Sequence, residues 1–442
     1  MTNPATETPL PTLGPVPSAP FEPLTTPDER NAESTCQAER ADFIVNYTRY
    51  ADIFEAPSEA HEVVATTLIS AVVNGNVWIE NGGQSLTLDF WTLLLSGSGV
   101  GRNTLVSLLW PVIDKAGCAK LVRNTAWGSK QGFYQHLAEN PKGFFVWEEV
   151  SAALKALSDA RFGEAKQWLT DRYDNLRLPP AIQYRISGKD SQTPPIVFTD
   201  PPRTNILATS SQDWFINSLN QDDSTGGFIP RWFLVKLPVT DRTIPEPKKP
   251  DNSLVGPLSD CLREAMKLKG AVDLSKVRDI YSDWYIETRE RFKAQPNQPT
   301  AMAFWNRHRV HLLKLAAIYE ISQSSGLTVS PAAMERAIQA AKRTERTVFE
   351  LLPTGMGHEG AAVDKLEQCI FAAGVAGILK SELTRAFQYM KSWDREGRLR
   401  TLVEAGSALP FRRKTSGRAA EVLVHARFAD EHAKKVPEDE RQ

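Results

Sequence analysis

Apolar positions recur along the chain at two spacings, and the alternation between them divides it into segments. Val63, Val64, Thr67, Leu68, Ala71 and Val72 repeat at helical spacing and predict an amphipathic helix within a helical lead-in over 35–85. Leu86 to Leu95 is a short apolar run that predicts a strand. A glycine-rich turn and the periodic segment Leu105–Ile113 follow it, giving strand, loop, helix. Further short apolar runs at Phe144–Trp147, Ile196–Phe198, Asn205–Thr209 and Phe228–Leu237 read as strands, with helical segments such as Ser151–Leu169 between some of them. Strands alternating with helices predict an α/β core with parallel strands over 86–243. The proline- and lysine-rich Pro245–Pro250 reads as a linker into a helical subdomain, 244–352. There Leu274, Val277, Ile280, Tyr281 and Trp284 share one face, as do Trp305, His308, Leu312, Leu315, Ala316 and Tyr319. A further helix opens with Ser330 as N-cap and Pro331 in its first turn.

Residues 353–361 predict a hinge, and 362–428 a small separate module. Its helices are expected at Val363–Ala373, near Ser381, and around Leu399, Leu402 and Val403. Strands follow around Ala408–Phe411 and Glu421–His425. Three helices and a basic hairpin predict a winged helix-turn-helix. Residues 1–34 read as a disordered proline-rich tail and 429–442 as a charged tail.

Composition narrows the class. The 442 residues are 41% hydrophobic and 24% charged, enough apolar mass for two or three packed units. No run of 18 apolar residues occurs, so no membrane span is expected. The first 29 residues, with eight prolines and no basic residue before Arg30, lack the charge and apolar core of a secretory signal. Cys36, Cys118, Cys261 and Cys369 form no CxxC pair, which fits a reducing, cytoplasmic setting. The net charge is −1, so nucleic-acid contact needs a local patch. Between Ala376 and Phe428 eleven Lys/Arg stand against five Asp/Glu. Lys391, Arg395 and Arg398 lie on the third helix, with Arg412, Arg413, Lys414 and Arg418 on the hairpin. The helix would enter a major groove and the wing reach phosphates; a solvated or protein-binding face is the alternative.

Candidate chemistry starts at Ser96-Gly97-Ser98-Gly99-Val100-Gly101-Arg102-Asn103-Thr104. Glycines let backbone N–H groups converge on a phosphate, and the following helix start adds a favourable dipole. Against the P-loop pattern only Gly101 fits strictly. Ser96 replaces the first glycine, Arg102 the lysine and Asn103 the hydroxyl ligand of Mg²⁺, while Thr104 lies a further 100° or so around the turn and is expected to point away. A glycine-rich turn without a ligand is the plainer reading.

Phe144–Trp147 then delivers Glu148 and Glu149 at a strand end, where ligands bind in open α/β sheets. Glu148 would hold Mg²⁺ and Glu149 activate water. Alternatively, the pair is a solvated helix start. At the end of a third strand Thr209 or Ser210 would stand beside the γ-phosphate. Arg231 would reach a neighbouring subunit's nucleotide, or else form an internal ion pair. His308 and His311 share a helix face at a spacing that favours packing over zinc.

The order of these features resembles a bacterial and phage family of unknown-function, primase-associated, helicase-like P-loop ATPases of mobile elements. The resemblance rests on Glu55-Ala56-Pro57, the Ser98–Gly101 loop, Glu148-Glu149, Tyr173-Asp174-Asn175, Gly227–Arg231 and Leu313–Tyr319, and covers roughly 38–352. It implies a RecA-like or AAA-like core, a homo-oligomeric ring (a hexamer among the options) with ATP and Mg²⁺ between subunits, and a part in replicating the element's DNA, beside a primase or other replication protein. It also implies phosphate contacts from Gly101 and Arg102, metal at Glu148, water at Glu149, and Arg231 as the neighbour's finger. The expectation is an ATP- and Mg²⁺-dependent DNA-associated motor; the alternative is a non-hydrolysing DNA-binding initiator or regulator with a degenerate loop.

Overall fold

The computed structural model describes residues 42–97, 100–123, 129–158, 164–183, 194–219, 223, 227–240, 242–295, 297–351, 360–388, 390–413 and 420–435. The 1–34 tail and most of the 353–361 hinge lie outside them, as do Ser98, Gly99, Lys414 and Arg418.

Asp42 caps the first helix, α1 (Phe43–Ala51), accepting hydrogen bonds from the backbone of Ile44 and Val45 at 2.9 and 3.2 Å. The next, α2 (Ser58–Val73), is buried on nearly every side because it is packed between the sheet and the helical region. The lead-in is not helical throughout. Asn81-Gly82-Gly83-Gln84 closes a hairpin between β1 (Val77–Asn81) and β2 (Gln84–Thr87), with both glycines at positive φ, 58° and 80°. A two-residue loop of that hand matches the twist of paired strands and favours glycine at both positions.

The central sheet holds β3 (Trp91–Leu95), β4 (Val122–Arg123), β5 (Lys142–Trp147), β6 (Arg203–Ser210) and β7 (Trp232–Lys236), in the order β4-β5-β6-β3-β7 with every pair parallel. The apolar run expected as one strand from Leu86 is interrupted after Thr87 and resumes at Trp91. Ile196 makes only a single bridge, to Ile182. The helix expected over Leu105–Ile113 breaks into α3 (Arg102–Ser107) and α4 (Leu109–Ala116). Pro111 has no N–H to offer the Ser107 carbonyl, so the first helix stops there. Helices α5 (Lys130–Glu139), α6 (Val150–Ser158), α7 (Ala165–Arg172) and α8 (Gln212–Asn217) connect the strands.

The helical region comprises α9 (Val255–Lys267), α10 (Arg278–Lys293), α11 (Gln298–Ser324) and α12 (Pro331–Leu351); β8 (Gly270–Val272) joins it to β1. Ser330 caps α12 as expected, accepting from Ala333 N at 3.3 Å. The last module has helices α13 (Gly360–Ala372), α14 (Lys380–Ala386) and α15 (Ser392–Glu404), then an antiparallel sheet of β9 (Ile378–Leu379), β10 (Ala408–Arg413) and β11 (Ala420–His425) in the order β10-β11-β9. Leu366, Ile370, Leu383, Phe387, Leu399, Leu402, Ala408 and Leu423 form its own core. The expected charged tail instead begins with α16 (Ala426–Lys435), docked through His432, whose Nδ1 lies 2.6 Å from the Val375 carbonyl. Among the described residues no helix is long and apolar enough to cross a membrane.

His308 of α11 is buried among Trp284, Trp305 and Phe292, and neither ring nitrogen has a hydrogen-bond partner. Burial, aided by the nearby Arg291 charge, pulls its pKa down to about 3. The unfolded chain therefore binds a proton here that the folded chain refuses, and stability is lost as pH falls from about 6.5 toward the folded value. His308→Leu should recover about 2 kcal/mol of the stability that the wild type loses between pH 6.5 and pH 5, at about 1.4 kcal/mol per pH unit for one such group. Urea titrations at the two pH values check this, and equal losses in both proteins would refute it.

Candidate phosphate-binding site

Because all five strands are parallel and in register, their C-terminal ends share one edge: Leu95 pairs with Ser210 and Lys236, and Trp147 with Ala208. The glycine loop leaves this edge from β3, the acid pair from β5 and Ser210 from β6. The strand beside β3 on the acid's side is the later β6, so connections diverge here, at the kind of edge where open α/β sheets form a ligand crevice.

Gly101 caps α3 at φ 68° and ψ 39°. A Cβ at this position would lie 2.7 and 2.8 Å from two ring carbons of Phe54, which comes from the connection between α1 and α2. The same point is 3.7 Å from Thr104 Oγ1, so that hydroxyl faces back toward the loop rather than away. Arg102 Nη1 donates to Glu149 Oε2 at 3.1 Å, each side chain about a quarter exposed. The other carboxylate oxygen is held separately. Ser151 Oγ and Ser210 Oγ each approach Oε1 at 2.5 Å, and Ser151 N donates to it at 3.2 Å. Burial pushes the Glu149 carboxyl up, but these hydrogen bonds and the Arg102 charge outweigh it and leave the group below the usual carboxylate range. Ser96, whose N–H bonds to the Ser210 carbonyl at 3.0 Å, carries a buried hydroxyl with no hydrogen-bond partner among the described residues. An orphaned donor beside the loop suits a further acceptor.

Two of the three proposed catalytic side chains are placed otherwise than expected. Thr209 Oγ1 donates to the Glu148 backbone carbonyl, pinning the turn after β5, and Ser210 is the residue that meets the acid. Arg231 immediately precedes β7 and so lies at the opposite end of the sheet from the loop. Its guanidinium bonds to the Gly227 carbonyl and sits 6.0 Å over the Tyr173 ring; burial lowers its pKa to about 10. The side chain is committed inside its own chain and does not project as a finger. Glu148 and Asn103 are both exposed. Among the described residues no three His, Cys, Asp or Glu side chains gather into a metal cluster.

The motifs around Tyr173, Arg231 and Leu313–Tyr319 converge instead on a buried polar cluster near the start of the sheet. Lys314 is fully buried, donating to the Asp89 carbonyl at 2.7 Å and to Asp174 Oδ1 at 2.6 Å, and lies 4.2 Å over the Tyr173 ring. His311 Nε2 is 3.0 Å from the Arg231 carbonyl. Sequence reasoning missed this centre. Its one local signal, a lysine within an otherwise apolar helix stretch, reads equally well as a snorkelling surface residue.

In the terminal module the basic face is smaller than its composition suggests. Arg395 is buried, with Nη1 3.4 Å from the carbonyls of Phe387 and Met390, and cannot reach a groove. Arg398 Nε pairs with Asp394 at 2.8 Å. Lys391, Arg400, Arg412 and Arg413 remain exposed.

A pocket of about 500 Å³ lies between the lead-in (Thr48, Arg49, Asp52, Pro57) and the segment after β7 (Pro238, Val239, Arg242). Leu237 N donates to the Leu95 carbonyl at 2.8 Å, tying that second wall to the strand that carries the loop. No protein-family model matches the chain, and no curated protein matches it.

Proposed function

We propose that the chain is an ATP- and Mg²⁺-dependent, helicase-like DNA-associated motor of a phage or integrative element, built on a P-loop core of RecA-like or AAA-like type. The observation that carries this reading is the convergence of Gly101, Arg102, Glu149 and Ser210 at one crevice above the parallel strand ends. Arg102 and the loop backbone would bind the β- and γ-phosphates. A pocket between the lead-in and the segment after β7, a segment tied to β3 through Leu237, has room for a nucleoside. The exposed Glu148 carboxylate and Asn103 fit a Mg²⁺ that takes its remaining ligands from phosphates and water. When bound, that ion would neutralise charge developing on the phosphates. Glu149, aimed by Ser151 and Ser210, would orient the attacking water and accept its proton. Because Arg231 is turned inward, a cation acting from a neighbouring subunit in a ring would have to come from elsewhere.

Steady-state ATP hydrolysis with and without single-stranded DNA tests the motor. Turnover stimulated by DNA, and lowered about 100-fold in Glu149→Gln, is expected. A rate at the no-protein baseline, indifferent to DNA, would leave the second reading: a DNA-binding initiator or regulator that holds nucleotide without cleaving it. One observation favours that second reading. Glu149 is already paired with Arg102 and hydrogen-bonded by two serines, which makes it a weak base.

The helix–helix–helix–hairpin order of residues 360–425 supports a winged helix that meets DNA through its hairpin. Reversing Arg412 and Arg413 to glutamate should weaken duplex binding about tenfold and flatten the plot of log affinity against log salt by about two units of slope. Unchanged affinity and slope would make the module a protein contact.

A further inference from the structure

Resting on the phosphate-site reading, we propose that Glu149 is an internal competitor of the ligand: it and the terminal phosphate of a nucleotide or pyrophosphate contend for the same Arg102 guanidinium, so that binding and release of the acid are one event. The two oxygens of Glu149 have separate partners. Oε1 is fixed by Ser151 and Ser210, and Oε2, among the described residues, by Arg102. The carboxylate therefore keeps its aim when the arginine leaves. Arg102 occupies the position of the P-loop cation, one residue beyond the turn at Gly101. Ser96, where the chain leaves β3, carries a buried hydroxyl without a hydrogen-bond partner among the described residues. A lysine ammonium in this position would be a strongly hydrated point charge. A guanidinium is planar, suits carboxylate and phosphate alike, and passes between them with little desolvation cost. Arg102 and Glu149 are each about three-quarters buried, so their pair resists salt screening and sets a real threshold that a ligand must exceed. Exchange of this kind couples occupancy to the acid. Glu149 is held by the arginine until a phosphate takes it, and only then faces water without a cation on it.

The test is a double-mutant cycle read by binding, with no turnover involved. Pyrophosphate and ADP are titrated by calorimetry, in EDTA, into the full chain and into Glu149→Gln, Arg102→Met and the double variant, with thermal unfolding to show that each is folded. Exchange predicts that Glu149→Gln binds about fivefold to tenfold more tightly than wild type, the size expected of one partly buried ion pair. It also predicts that the same change in the Arg102→Met background gains nothing. An equal gain in both backgrounds would mean simple repulsion between acid and phosphate, and would overturn the proposal. So would no gain, or a loss, in Glu149→Gln, because Arg102 would then bridge both groups. Absent binding in all four folded proteins up to millimolar concentration would instead refute the phosphate site itself.

Discussion

Replacing Lys314 with methionine lowers the stability of the fold by about 3–5 kcal/mol, the cost of leaving buried charge without its partner. The ammonium is wholly enclosed by α11, Tyr173, Asp174 and the chain ahead of β3. Burial pulls its pKa down, while Asp174 and Asp89 work against that. Methionine fills the volume but leaves Asp174 with Arg307 at 3.7 Å and its left-handed backbone, φ 60°, without the bond that holds the carboxyl in place. Asp89 is fully buried and is already raised to about 6, chiefly by burial. Removing the nearby ammonium should raise it further, so the variant's deficit should grow as pH climbs from 5 to 8. Urea unfolding measures both effects. A loss under 1 kcal/mol would mean that the cluster is solvated. Adding Asp174→Asn to Lys314→Met should restore part of the loss, since no charge is then stranded.

Gly101→Ala carries the second large effect, on the ligand rather than on the fold. A non-glycine residue at φ 68° costs about 1–2 kcal/mol, and the new Cβ would press on the Phe54 ring. Phe54 is itself packed edge-on against His61 at 5.3 Å, inside the lead-in, and cannot simply swing away. The loop would have to move, and nucleotide affinity should fall about tenfold to a hundredfold while the thermal midpoint drops by only a few degrees. Phe54→Leu in the same chain removes ring atoms from the point of contact and should recover part of the affinity. If it recovers none, the close approach of ring and loop is not what sets the loop's shape.

Most of the sheet was legible because its strands are apolar on both faces and give way to small or charged residues, Glu148-Glu149 after Phe144–Trp147 and Ser210-Ser211 after Asn205–Thr209. The acid pair and the glycine loop could be brought together on paper since parallel strands deliver both to one edge. Three features were not legible. Pro111 inside an otherwise periodic segment splits one helix into two, a local cue that the apolar period obscures. Ile196–Phe198 has strand composition, but among the described residues it forms one isolated bridge, Ile196 to Ile182, outside the main sheet. The Asp89–Asp174–Lys314 centre joins residues 140 and 225 positions apart, and only the tertiary fold decides that such charges go inward. Arg395 makes the same point in the terminal module. Composition counts it as part of a basic face, while helix phase buries it beneath Phe387.

The central claim is that the crevice above β3, β5 and β6 binds the phosphates of a nucleotide. Equilibrium titration of the full chain with a fluorescent ATP analogue in Mg²⁺, followed by displacement with pyrophosphate, tests it most directly. Saturable binding below millimolar, reversed by pyrophosphate and weakened in both Gly101→Ala and Arg102→Met, is the predicted result. A flat titration, or binding that neither substitution disturbs, would contradict it.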